Sequence, residues 1–94
     1  MILGTYIKQP ADTLDYDIDY SEWLTFNDNV QEAAILIEGS DSTLIKVSHF
    51  INDPVIKIWL SGGTAGTTYK VTCTMTSADG RIRQDEFKMK IKEY

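Results

Sequence analysis

Asp15, Asp17 and Asp19 occupy every second position and form the densest group of ligand-type side chains in the sequence. An Asp-x-Asp-x-Asp run is the opening of a calcium loop, but that loop needs Gly at its sixth position and Glu at its twelfth. Those positions hold Tyr20 and Phe26. On a strand, side chains alternate, so the three carboxylates share one face. The expectation is a solvated acidic face that needs a basic neighbour, because like charges in a row repel. The all-lysine face of the final segment, Lys88, Lys90 and Lys92, is the candidate neighbour.

The remaining reactive side chains are sparse. His49 is the only histidine and Cys73 the only cysteine. Two such residues are too few for a zinc site. No Gly-x-Ser-x-Gly elbow presents a nucleophile. Cys73 alternates with apolar neighbours and reads as a buried small hydrophobe. Gly62, Gly63 and Gly66 make a glycine-rich loop without the Gly-Lys-Ser/Thr ending of a phosphate cradle, so a tight connection between strands explains it better. No catalytic, metal or cofactor-binding residue is assigned, and no cofactor is expected.

The elements that carry these residues have period two. Residues 69–76 place Tyr69, Val71, Cys73 and Met75 on one face and Lys70, Thr72, Thr74 and Thr76 on the other, a half-buried strand. Residues 87–92 repeat the pattern with lysines outside. Between them, Asp79-Gly80 marks a hairpin, since Gly supplies the positive φ of the turn. Residues 14–20, 33–38, 43–47 and 55–60 read as further strands. Residues 20–32 could hold a helix, but Asn27-Asp28-Asn29 argues for a loop. In residues 55–60, Ile56, Ile58 and Leu60 take the inner face, so Trp59 points outward, where a large aromatic needs cover. Trp23 is expected to seal one end.

Six to seven strands at spacings of about 8–12 residues give an all-β class, an antiparallel immunoglobulin- or fibronectin-III-like sandwich. The stretch from Gly66 to Cys73 resembles the start of the penultimate strand of fibronectin type III. There a tyrosine returns its hydroxyl to a backbone group; Tyr69 takes that place. The 94 residues fit one domain, 1–94, with 1–9 as an N-terminal arm or edge strand.

Net charge is −5, the opposite of a nucleic-acid-binding footprint. The charge is also polarised. Residues 9–45 carry nine acidic and no basic side chains, whereas residues 46–94 carry eight basic and five acidic ones. Such polarity suits head-to-tail contact between copies in an assembled ring. No apolar run reaches membrane-spanning length, so no membrane insertion is expected. The opening residues lack the features of a secretory signal, and a lone cysteine fits synthesis in a reducing compartment.

Two segments carry a resemblance. Leu14-Asp15-Tyr16-Asp17-Ile18-Asp19-Tyr20-Ser21-Glu22-Trp23-Leu24, and Trp59-Leu60-Ser61-Gly62-Gly63-Thr64-Ala65-Gly66-Thr67-Thr68-Tyr69-Lys70-Val71-Thr72, resemble two hallmarks of small tailed-bacteriophage virion proteins described as fibre–tail adaptors. The turn at residues 77–81 and the last strand also fit, and residues 25–54 show no likeness. The resemblance implies a non-enzymatic structural subunit of the virion, made in the host bacterial cytoplasm. It would be present in several copies and join the tail to fibres or spikes. Its partners would be other virion proteins. The candidate interaction residues are Asp15, Asp17, Asp19, Trp59, Gly62, Gly63 and Gly66, with the N-terminal arm. Two other readings remain open at this point: a capsid decoration or cement protein, and an extracellular-type binding module.

Overall fold

The structure is a computed structural model and describes residues 2–93. It holds seven strands and, among the described residues, no helix: β1 (Ile2–Lys8), β2 (Thr13–Asp19), β3 (Val30–Glu38), β4 (Leu44–Asn52), β5 (Val55–Gly62), β6 (Thr68–Ser77) and β7 (Ile82–Ile91). They form a four-stranded sheet, β1-β7-β6-β3, and a three-stranded sheet, β2-β5-β4. Only β1 and β7 run parallel; every other pair is antiparallel. The two sheets make the expected sandwich, and the strand order is compatible with an immunoglobulin-like arrangement.

Alternation builds the interior. Tyr69, Val71, Cys73 and Met75 of β6, Phe87, Met89 and Ile91 of β7, and Ile56, Ile58 and Leu60 of β5 are all buried. Ile18 of β2, Leu44 of β4 and Val30 of β3 join the same core. Burying one such side chain stabilises the fold by about 1.5–3 kcal/mol. β1 takes the outer place on the larger sheet. It is fastened inward by Tyr6, whose ring lies 5.2 Å from Tyr16 and 5.5 Å, edge-on, from Phe87. Lys8 at its end is buried and donates to the carbonyls of Gly62, at 2.6 Å, and Gln9, at 2.7 Å.

Three strands extend by three or more residues beyond their sequence-based bounds. β3 begins at Val30, β4 continues to Asn52, and β7 begins at Ile82. In β4 the register shifts between Lys46 and Ser48, so Val47 has no partner across the β5 ladder.

Residues 20–29 form turns rather than a helix. Asn27 there has a φ of 66°, a conformation asparagine tolerates better than most residues. This end of the sandwich is stitched by Arg81, whose guanidinium donates to Asp28 Oδ2 at 3.0 Å and Thr25 Oγ1 at 2.8 Å. Trp23 packs against the core with the Arg83 guanidinium 5.3 Å from its ring centre. The β6–β7 turn closes as expected, with Gly80 at φ 88° and the Gly80 N–H donating to the Ser77 carbonyl at 3.0 Å. The molecule is long, 44 × 20 × 19 Å.

Candidate functional site

The outer face of the β2-β5-β4 sheet gathers most of the expected contact residues. Register places Asp15 beside Trp59, Asp17 beside Lys57 and Asp19 beside Val55. On the far side, Ser48 lies beside Trp59 and Phe50 beside Lys57. The face is therefore acidic along β2 and aromatic toward β4. Trp59 points outward, as alternation requires, and is half-buried.

The counter-charge comes from a different strand than the sequence indicated. Lys57 of β5 sits between two carboxylates, 2.7 Å from Asp15 Oδ2 and 3.1 Å from Asp17 Oδ1. The β7 lysines lie in the other sheet. Register explains the correction, since Lys57 is the residue directly across from Asp17. The hydrogen bond from Lys57 holds the Asp15 carboxyl below its usual range. Hydrogen bonds to Asp15, then Asp17, raise the Lys57 ammonium above its own. Asp19 is also held low, mainly by the Ser21 backbone N–H at 2.9 Å. These groups are solvent-exposed, so the pairing adds little stability. What it leaves is a row of ordered acceptors on an open surface. Among the described residues, no group of three or more His, Cys, Asp or Glu side chains is arranged to hold a metal ion.

Gly62, Gly63 and Gly66 lie elsewhere, in the β5–β6 connection. All three have positive φ, at 81°, 100° and 86°. A Cβ on Gly62 would strike the Thr43 carbonyl oxygen, and one on Gly63 would lie 2.6 Å from Ile91 Cγ1. A Cβ on Gly66 would meet nothing within 4 Å. The first two glycines thus serve close packing, while Gly66 serves the turn. The Gly63 N–H donates to Thr43 at 3.1 Å and the Gly66 N–H to Ile91 at 2.8 Å. The Tyr69 phenol, fully buried, accepts the Thr64 N–H at 3.0 Å. That is the backbone return expected of a tyrosine corner.

His49 lies on β4, with Lys46 Nζ 2.8 Å from its Nδ1. Partial burial, then the Lys46 charge, lowers its pKa. Cys73 is fully buried in the opposite sheet, with the Tyr20 hydroxyl 3.6 Å from its sulfur. Burial pushes that thiol up, which disfavours the reactive thiolate.

Two surfaces were not anticipated. Ile45, Val47, Phe50 and Ile51 leave β4 apolar along its exposed side. Apolar residues at both odd and even positions of 44–51 were the available signal, since a strand with both faces apolar must be covered or lie open. The second surface is basic: an open groove of ≈ 520 Å³ on the larger sheet, lined by Glu38, Gly39, Thr68, Tyr69, Lys70 and Lys88. Lys70 there is shared by Glu38 at 3.5 Å and Glu86 at 3.7 Å.

No curated protein matches the chain. A family model does, over residues 8–90, nearly its whole length. The chain therefore belongs to the family described as podophage GP4 fiber-tail adaptor protein gp77.

Proposed function

We propose that this chain is a non-enzymatic structural subunit of the virion that joins the phage tail to its fibres or spikes. Several copies around the tail would act together. The observation that carries the reading is the family match over residues 8–90. The geometry supports it: a rigid two-sheet body turns a row of ordered carboxylates and an aromatic edge outward, as a protein-docking surface does. Repetition on a symmetric ring would raise effective concentration, so contacts that are weak singly hold the assembly together. The partners would be tail and fibre or spike proteins, and synthesis would take place in the host bacterial cytoplasm.

Labelling a tagged subunit in purified particles tests the reading. Gold at the tail vertex alone supports it. Gold spread over the capsid shell points instead to a decoration protein, and no gold on particles removes both. Replacing Asp15, Asp17 and Asp19 together by asparagine tests the face itself. Incorporation into particles should fall, and unchanged incorporation would exclude that face as a virion contact.

A further inference from the structure

The end of the sandwich where β2 leaves and β3 and β7 begin carries the two most exposed large apolar side chains among the described residues. Phe26 is 92% exposed and Ile82 67%. They are distant in sequence but flank one contact, in which Arg81 Nη1 donates to Thr25 Oγ1 at 2.8 Å. Phe26 follows Thr25, and Ile82 follows Arg81. One apolar side chain in water is ordinary, whereas apolar side chains gathered beside charge mark an interaction site.

The turn that presents Phe26 is fastened on both sides. The Asp28 N–H donates to the Thr25 carbonyl at 3.0 Å, closing a four-residue turn with Phe26 and Asn27 at its centre. Asn27 has the positive φ that a type II turn requires at that place. The Asp28 side chain is fully buried. Its carboxylate accepts the Asn29 N–H at 2.9 Å, the Asp79 N–H at 3.0 Å and Arg81 Nη1 at 3.0 Å. The Ser77 hydroxyl is a further donor. Burial pushes this carboxyl up, but the hydrogen bonds outweigh it and hold it below its usual range. Thr25 and Asp28 are thus both tied to the β6–β7 turn, with Phe26 held out between them. A fixed backbone and a side chain with only two χ angles leave little freedom to be lost when the ring is covered.

The charge around the ring indicates what covers it. Glu22 is exposed and has no ion pair among the described residues. Arg81 is already shared by Asp28 at 3.0 Å and Asp79 at 3.5 Å. Arg83 is engaged by Asp85 at 3.0 Å and by the Trp23 ring. The tip is therefore acidic in excess, and its complement is an apolar socket with a basic rim. The groove on this chain's larger sheet gives Phe26 no apolar lining. It presents Glu38, Gly39, Thr68, Lys70 and Lys88, and its Tyr69 ring is buried.

We propose that Phe26, with Ile82 beside it, is an anchor that inserts into an apolar, basic-rimmed socket on another protein of the virion. The inference deepens the adaptor reading and rests on it in taking the partner to be a virion component. Interfaces concentrate their affinity in a few such central aromatic side chains.

Particles assembled with Phe26→p-benzoylphenylalanine, which keeps an aromatic ring at the tip, read the contact directly. Irradiation should join the subunit to one other virion protein. Peptide mapping should place the adduct among apolar residues with Lys or Arg close by. Phe26→Ala should lower incorporation into particles by roughly tenfold or more. Phe26→Leu should recover part of that loss, and Glu22→Lys should lower incorporation severalfold. Leu36→Ala, equally exposed but on β3, should leave incorporation unchanged. Melting temperatures confirm that the variants fold, and the photoreactive chain decides the question should Phe26→Ala fail that check. The inference is overturned by an adduct with a second copy of this chain, by an adduct in a polar stretch or by no protein adduct. It is equally overturned by Phe26→Ala incorporating as well as the unchanged chain, or no worse than Leu36→Ala. A Phe26→Ala subunit that still labels the tail vertex at full occupancy would remove this anchor and leave the adaptor reading standing.

Discussion

The Tyr69 hydroxyl donates to Asp41 Oδ1 at 2.5 Å, from a fully buried ring to a carboxylate in the β3–β4 connection. Asp41 also accepts the Thr43 N–H at 3.1 Å, the Thr43 hydroxyl at 2.8 Å and the Thr64 hydroxyl at 2.9 Å. One carboxylate thus ties two loops to β6. Tyr69→Phe should lower unfolding stability by about 1–2 kcal/mol, read as a reduced urea midpoint with an unchanged slope.

The same network makes a pH prediction. Hydrogen bonds, that from Tyr69 foremost, hold the Asp41 carboxyl far below its ordinary 3.8. A depressed folded-state pKa gives stability that is present above the unfolded value and lost as pH falls toward the folded one. Stability should therefore decline as pH drops below about 4. Asp41→Asn should flatten part of that decline in urea titrations at successive pH values. An acid limb unchanged by the substitution would show that other carboxylates carry it.

The glycine loop separates two kinds of cost. Gly66→Ala meets only the backbone penalty of a left-handed conformation, about 1–2 kcal/mol. Gly63→Ala carries that penalty and also forces Ile91 aside, because a Cβ there lies 2.6 Å from Ile91 Cγ1. Thermal unfolding should rank Gly63→Ala as the more damaging change. Equal effects would mean that Ile91 yields freely.

Cys73 gives a probe of global opening. Its side chain is fully buried and its thiol pKa is raised by that burial. Labelling by a thiol reagent should track unfolding across a denaturant series. Fast labelling of the folded chain would contradict the packing around Met75 and Tyr20.

Much of this architecture was legible because β6, β7 and β2 each keep one face in the core and one in water. The exceptions have local causes. The β4 pattern changes phase at Val47, where the register shifts, so reading with period two stops there and misses Phe50 and Ile51. The start of β7 was hidden by Asp85, which is buried at a core-facing position and accepts from Arg83 Nε at 3.0 Å. A charged residue in that place breaks the apolar alternation. Lys57 was missed as the partner of the aspartates because strand pairing is a property of the assembled sheet. The parallel match of β1 with β7 is invisible for the same reason, joining residues such as Tyr6 and Met89 from opposite ends of the sequence.

That parallel pairing has a mechanical consequence. β1 and β7 are the first and last strands, lie side by side and run in the same direction. Tension applied between the chain's two ends would slide one strand along the other, loading their hydrogen bonds together instead of peeling them one by one. Single-molecule pulling should meet its main resistance there. A subunit that transmits the drag of a fibre to the particle would gain from having its two extremities clamped in this way.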